Sequence, residues 1–115
     1  MIKNEKIFLR HILESIENVE NFTKDVSKTE FLSSVLVQDG VIRRLEIIGE
    51  AVKNLPLEVK EQYPDIEWKK IAGLRDVLIH AYFDVDIDLT WEIIKRDLPD
   101  LKKKIKKILE DLENE

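Results

Sequence analysis

Residues 31–55 read FLSSVLVQDGVIRRLEIIGEAVKNL. Phe31, Val35, Val41, Ile42, Leu45, Ile48, Val52 and Leu55 recur largely at three- and four-residue steps, the period of one face of an α-helix. The spacing predicts one long helix here. Just before it, Ser27 and Glu30 form a capping box, in which each side chain bonds the other's free backbone N–H. In the middle of the stretch, the small residues of Gly49-Glu50-Ala51 would let another helix approach closely. Asn54-Leu55-Pro56 ends it, because Pro56 cannot continue a helix but can open a new turn.

Working outward, residues 2–23 place Ile2, Leu9, Ile12, Leu13, Ile16, Val19 and Phe22 on a second helical stripe, ended at Asp25-Val26-Ser27-Lys28. Downstream, Leu57–Tyr63 reads as a short helix closed by Pro64. Asp65 is the expected N-cap of a further helix through Trp68, Ile71, Leu74, Leu78 and Ile79. Phe83–Asp88 alternates like a strand but has no partner, so it reads as a loop. Asp88 or Thr90 then caps a last helical region with Trp91, Ile94 and Leu98, and Pro99 marks a kink or a restart. Beyond it Leu101, Ile105, Ile108, Leu109 and Leu112 form one apolar stripe. The elements predict an all-α, up-and-down bundle of four to five helices, a single domain over residues 1–115.

Composition agrees. Only three glycines and three prolines occur in 115 residues, which favours long uninterrupted elements over a many-turned β-fold. Nineteen basic against 24 acidic residues leave a net charge of −5. That excludes a general basic coat that grips nucleic acid by bulk charge, though not a local basic site. With no cysteine, disulfide scaffolds, thiolate zinc sites and cysteine nucleophiles are excluded. The charged N-terminus and the absence of any run near 18 apolar residues predict neither signal peptide nor membrane span, hence a cytoplasmic protein.

Several clusters have plain explanations. Lys95, Arg96 and the five lysines between 102 and 107 could track a phosphate backbone, but those five lie off the apolar stripe and read as a solvated face. Asp84, Asp86 and Asp88 open like a calcium loop, yet Leu89 and Lys95 stand where such a loop needs Gly and Glu. Glu46 and Glu50 are a carboxylate pair at i, i+4, more simply used in ion pairs with Arg43 and Lys53. His11 reads as a surface or boundary histidine without polar company.

Arg75-Asp76-Val77-Leu78-Ile79-His80-Ala81-Tyr82 is different. On a helix, Arg75 and Tyr82 share a face, while Asp76 and His80 are one turn apart and can touch. Asp76 could fix the His80 tautomer and favour its protonated form. Arg75 offers a permanently charged planar fork suited to phosphate. A phosphate clamp beside a proton shuttle is the equipment of phosphodiester chemistry. Arg75 and His80 are five residues apart, however, about 140° around a helix, so one copy cannot easily aim both at one phosphate. A composite site across a two-fold axis could. The competing reading is an Asp76–His80 pair at a helix end, with Arg75 in a structural ion pair.

Arg75–Tyr82 matches the R-x4-H-x-Y motif of HepT-like toxins, a branch of the HEPN superfamily. The run from Asp39 to Ala51 resembles that family's second-helix signature, and Tyr63–Trp68 its segment before the motif. Asp84-Val85-Asp86 with Trp91 resembles the family's segment after the motif. The resemblance covers roughly residues 5–110. It implies a HEPN-like homodimeric helical bundle acting as a metal-independent ribonuclease toxin without cofactors, the RNA's own 2′-hydroxyl serving as nucleophile. Arg75 would hold the scissile phosphate and His80 would be the general acid/base. Asp76, in a supporting place, stands where the family commonly has Asn. The implied partner is a minimal nucleotidyltransferase antitoxin that transfers AMP to Tyr82. The net charge points to localised RNA targets such as a tRNA end or loop, with mRNA also open. A non-catalytic binding subunit for the transferase, which would not need His80, and a purely structural bundle are the alternatives.

Overall fold

The computed structural model describes residues 2–74 and 87–114, and every regular element among them is helical. In chain order these are α1 (Ile2–Thr23), α2 (Lys28–Ser33), α3 (Val35–Asn54), α4 (Leu57–Gln62), α5 (Trp68–Ala72), α6 (Ile87–Glu92), a π-helical turn (Ile93–Asp97) and α7 (Leu98–Glu113).

α1 stops where the sequence pattern stops. Asp25 takes a positive φ of 62°, a left-handed conformation that Asp tolerates better than most residues. The Val26 N–H closes the turn on the Thr23 carbonyl at 3.0 Å. The capping box forms as expected: Glu30 N–H donates to Ser27 Oγ at 3.1 Å, and Ser27 N–H donates to the Glu30 carboxylate at 3.2 Å.

The long helix expected from Phe31 onward is in fact two. The chain breaks at Ser34, whose φ and ψ of −108° and 100° are extended. Its hydroxyl accepts from Val37 N–H at 3.2 Å and starts α3. The Gln38 side-chain amide reaches back to the Phe31 and Leu32 carbonyls at 2.8 and 3.1 Å, satisfying acceptors at the end of α2. Serine hydroxyls compete for backbone groups, so the Ser33-Ser34 pair is a natural place for the break.

α1 and α3 run antiparallel. A Cβ added at Gly40 would lie 3.3 Å from the Phe22 ring, so the end of α1 meets the start of α3. Phe8 and His11, near the start of α1, share a groove with Ala51 and Asn54 at the end of α3. Between them lie fully buried Leu9, Ile12, Ile16 and Val19 of α1 and Val41, Leu45, Ile48 and Val52 of α3. α7 closes this core with Leu101, Ile105, Ile108 and Leu109, the predicted stripe, while Leu112 is half-buried against it. Buried Thr23 donates its hydroxyl to the Val19 carbonyl at 2.8 Å, so that polar group costs the core little.

Two further boundaries differ from the sequence reading. Asp65 is not an N-cap: α5 starts at Trp68, preceded by Glu67, which makes no side-chain cap bond. Ile66 and Trp68 are buried, and the Trp68 indole donates to the Tyr63 carbonyl at 3.0 Å, so the turn is held by packing. Asp88 lies in the first turn of α6 and Thr90 is buried within it; neither stands ahead of the helix. Pro99 brings no restart. It sits in the first turn of α7, and the π turn before it lets Leu98 N–H bond the Ile93 carbonyl five residues back. A proline ring crowds the carbonyl four residues earlier, and a widened turn relieves that clash.

Candidate functional site

Arg75, Asp76, His80 and Tyr82 lie outside the described residues, as do Leu78, Ile79 and residues 83–86 of the expected loop. The structure does describe the elements on either side of that segment.

Upstream, α5 packs on α3. Tyr63, ahead of it, donates its hydroxyl to the Asp111 carboxylate of α7 at 2.7 Å. That bond, with Lys107 3.0 Å from the same carboxylate, holds the Asp111 pKa below its ordinary value. The Tyr63–Trp68 turn is thereby tied to both α5 and the last helix. Downstream, α6 packs on α2: the Phe31 and Trp91 rings lie 5.2 Å apart, and Lys28 pairs with Asp88 at 3.1 Å. The Lys95 ammonium sits 4.6 Å from the centre of the Trp91 ring, within cation–π range.

Leu74, the residue before Arg75, lines a cavity of about 130 Å³ between α5 and the π turn. Ile66, Ile71, Ile93 and Leu98 form its apolar walls. Asp65, Glu67, Asp97 and Asp100 give it an acidic rim, relieved by Lys70 and Lys104. Lys104 spends its charge on Asp100 at 3.1 Å, and Lys70 lies 3.8 Å from Glu67. An anion entering this cavity would meet repulsion.

A second groove, of about 340 Å³, lies between α1 and α3 and was not anticipated. Here His11, though exposed, does have polar company: it shares the groove with Arg43, Glu46 and Glu50. Arg43 pairs with Glu46 at 3.7 Å, as its spacing predicts. Proximity in sequence could not reveal the cluster, because the antiparallel pairing of two helices creates it. Among the described residues, no group of three or more His, Asp or Glu side chains is arranged to hold a metal ion. Nor is any helix among them long and apolar enough to cross a membrane.

The basic run is largely neutralised locally. Lys102 reaches Glu20 of α1 at 2.8 Å, and that hydrogen bond raises its pKa. Lys107 pairs with Asp111, and Arg96 with Glu92 at 3.4 Å. This matches a solvated face.

The described residues form helices on both sides of the R-x4-H-x-Y segment, which fits the class of small helical proteins that the sequence resembles. Comparison with known proteins narrows the class. Residues 12–108 match the family described as ribonuclease HepT-like, and the chain belongs to that family. It is 56% identical over 113 residues to a Methanocaldococcus jannaschii protein named "Gamma-glutamylcyclotransferase and putative RNase". The match takes in 98% of this chain and 51% of that relative, so the chain spans about half its length. A "Putative RNase" of the same organism is 47% identical, with 94% of this chain and 93% of the relative covered. A "Probable ribonuclease HepT" of Thermococcus cleftensis is 45% identical, with 94% and 98% covered. No solved structure matches the chain.

Proposed function

We propose that the chain is a metal-independent endoribonuclease, the toxin of a toxin–antitoxin pair, working as a homodimer on RNA. The observation that carries this reading is the family match over residues 12–108, a span that contains the whole Arg75–Tyr82 motif.

The chemistry comes from the side chains. Arg75 binds the scissile phosphate and offsets the charge that builds on its oxygens. The RNA 2′-hydroxyl attacks phosphorus as its proton passes to a neutral His80, and the 5′-oxygen leaves with a proton from an imidazolium. The products are a 2′,3′-cyclic phosphate and a free 5′-hydroxyl, with no water consumed and no metal required. Asp76 orients the imidazole. Because Arg75 and His80 diverge by about 140° on a helix, two copies complete each site. The acidic rim beside Leu74 would repel RNA, which supports an approach that avoids this cavity. A minimal nucleotidyltransferase antitoxin would silence the enzyme by placing AMP on Tyr82, where its phosphate competes with RNA for Arg75.

The test is cleavage of an RNA panel in EDTA by protein whose intact mass shows no AMP. Activity should survive EDTA and fall roughly 10²–10⁴-fold in His80→Ala, the usual scale for losing a general acid/base. If folded, unmodified dimer leaves every RNA intact, the ribonuclease reading fails and a binding subunit of the transferase takes its place.

A further inference from the structure

The cavity between α5 and the π turn owes its shape to that turn, a kind that recurs at functional sites. In an α-helix, residues five apart diverge by about 140° around the axis. Here the Leu98 N–H bonds the Ile93 carbonyl five residues back, which brings Leu98 round to the side of Ile93. Ile93, Asp97 and Leu98 therefore share one wall, and Ile66 and Ile71 supply apolar lining from the α5 side. The volume of about 130 Å³ suits a ligand of about six heavy atoms, since an apolar cavity of roughly 150 Å³ accommodates benzene.

The rim says what charge that ligand carries. Asp65 and Glu67 stand on the α5 side, Asp97 and Asp100 on the other, and only Lys70 and Lys104 oppose them, an excess of two negative charges. Lys104 shows how an ammonium is received here: its Nζ lies 3.1 Å from the Asp100 carboxylate and 3.5 Å from the Asp65 carbonyl oxygen. Lys70 lies beside Glu67. Among the described residues, the carboxylates of Asp65 and Asp97, one on each side, enter no ion pair. Neither is committed to the fold, because Asp65 does not cap α5 and Asp97 makes no side-chain cap bond to α7. A protein partner is a poor occupant. Among the described residues, none of the exposed large apolar side chains lines this cavity, so nothing around it could serve as the core of a protein interface.

We propose that this cavity binds a linear aliphatic diamine, its four-carbon chain against the apolar walls and one ammonium at each unpaired aspartate, Asp65 and Asp97. The ligand sits as the stem of a lysine does, with methylenes buried and charged ends in water. The site does not depend on the ribonuclease reading, and the rim that turns RNA away is the feature that attracts a dication.

Titration of the full chain with 1,4-diaminobutane, followed through the isoleucine δ1-methyl signals by NMR, tests it. Ile66, Ile71 and Ile93 should shift saturably with a Kd of about 1 mM or tighter, while Ile16, in the α1/α3 core, should stay in place. Butylamine, with one charge, should bind more weakly by about threefold or more. The uncharged 1,4-butanediol should leave the signals unmoved at the same concentrations. Asp65→Asn and Asp97→Asn should each raise the diamine Kd by about threefold or more, with the helical circular dichroism signal unchanged. Equal binding of the diol would make this a plain apolar cavity, and an equal response to Mg²⁺ at matched ionic strength would make it a plain acidic rim. Nα-acetyl-lysine methylamide binding as tightly as the diamine would give the cavity to a lysine of a partner protein. Each of these results overturns the proposal, as does a Kd indifferent to both substitutions or the absence of any shift up to about 10 mM.

Discussion

α3 and α7 are both long, amphipathic and rich in charge, yet they use their outer faces differently. α7 buries one stripe, Leu101, Ile105, Ile108 and Leu109, and spends its lysines on nearby carboxylates: Lys102 on Glu20, Lys104 on Asp100, Lys107 on Asp111. Three of its five lysines thus meet an acid within the chain. α3 buries a comparable stripe but leaves Leu36 open and lines a groove with Arg43, Glu46 and Glu50. The paired lysines of α7 mostly meet acids within a turn of themselves, whereas the sparser charges of α3 share a groove with His11 of another helix.

The contrast can be broken first in the core, where the two helices should behave alike. Ile48 of α3 and Ile108 of α7 are both fully buried. Truncating either to alanine should cost about 2–5 kcal/mol in urea unfolding, through lost transfer free energy and the cavity left behind. A surface-like cost at one of them would mean that helix is not core in solution.

Tyr63→Phe sharpens the account of α7. It removes the donor that, with Lys107, holds the Asp111 carboxyl below its usual range. A carboxylate whose pKa is depressed on folding adds stability above its unfolded pKa and loses it as pH falls through the folded value. The variant should thus melt slightly lower at neutral pH, and the gap should close in acid, below about pH 4. A gap that persists unchanged in acid would mean the hydroxyl stabilises through something other than Asp111. The smallest effect is expected at Leu36→Ala. Measured on dilute, single-copy protein, it should stay within about 0.5 kcal/mol of wild type, as for other surface positions. A larger loss would show that Leu36 packs within its own chain.

The residues that make the core were legible from apolar periodicity, because burial of one helix face is what that periodicity encodes. Leu9–Val19, Val41–Val52 and Leu101–Leu109 all behave as their spacing implies. Boundaries were harder. The break at Ser34 is set by hydroxyl caps and by Gln38 reaching back seven residues, and neither leaves a mark on an apolar stripe. The start of α5 at Trp68 depends on an indole bonding the Tyr63 carbonyl, a tertiary contact that outweighed the capping tendency of Asp65. At the candidate site, the R-x4-H-x-Y motif was legible as chemistry because its residue types are rare in an otherwise apolar stretch. The His11 cluster was not, since His11 lies more than thirty residues from the Arg43, Glu46 and Glu50 that share its groove.

The antiparallel pairing of α1 with α3 also bears on how the molecule is made. Both helices, and so every contact between them, belong to the first 54 residues, which emerge first during synthesis. The α1–α3 pair therefore leaves the ribosome ahead of α7, the helix that completes its core. The nascent helix pair must keep an apolar stripe exposed until α7 arrives to cover it.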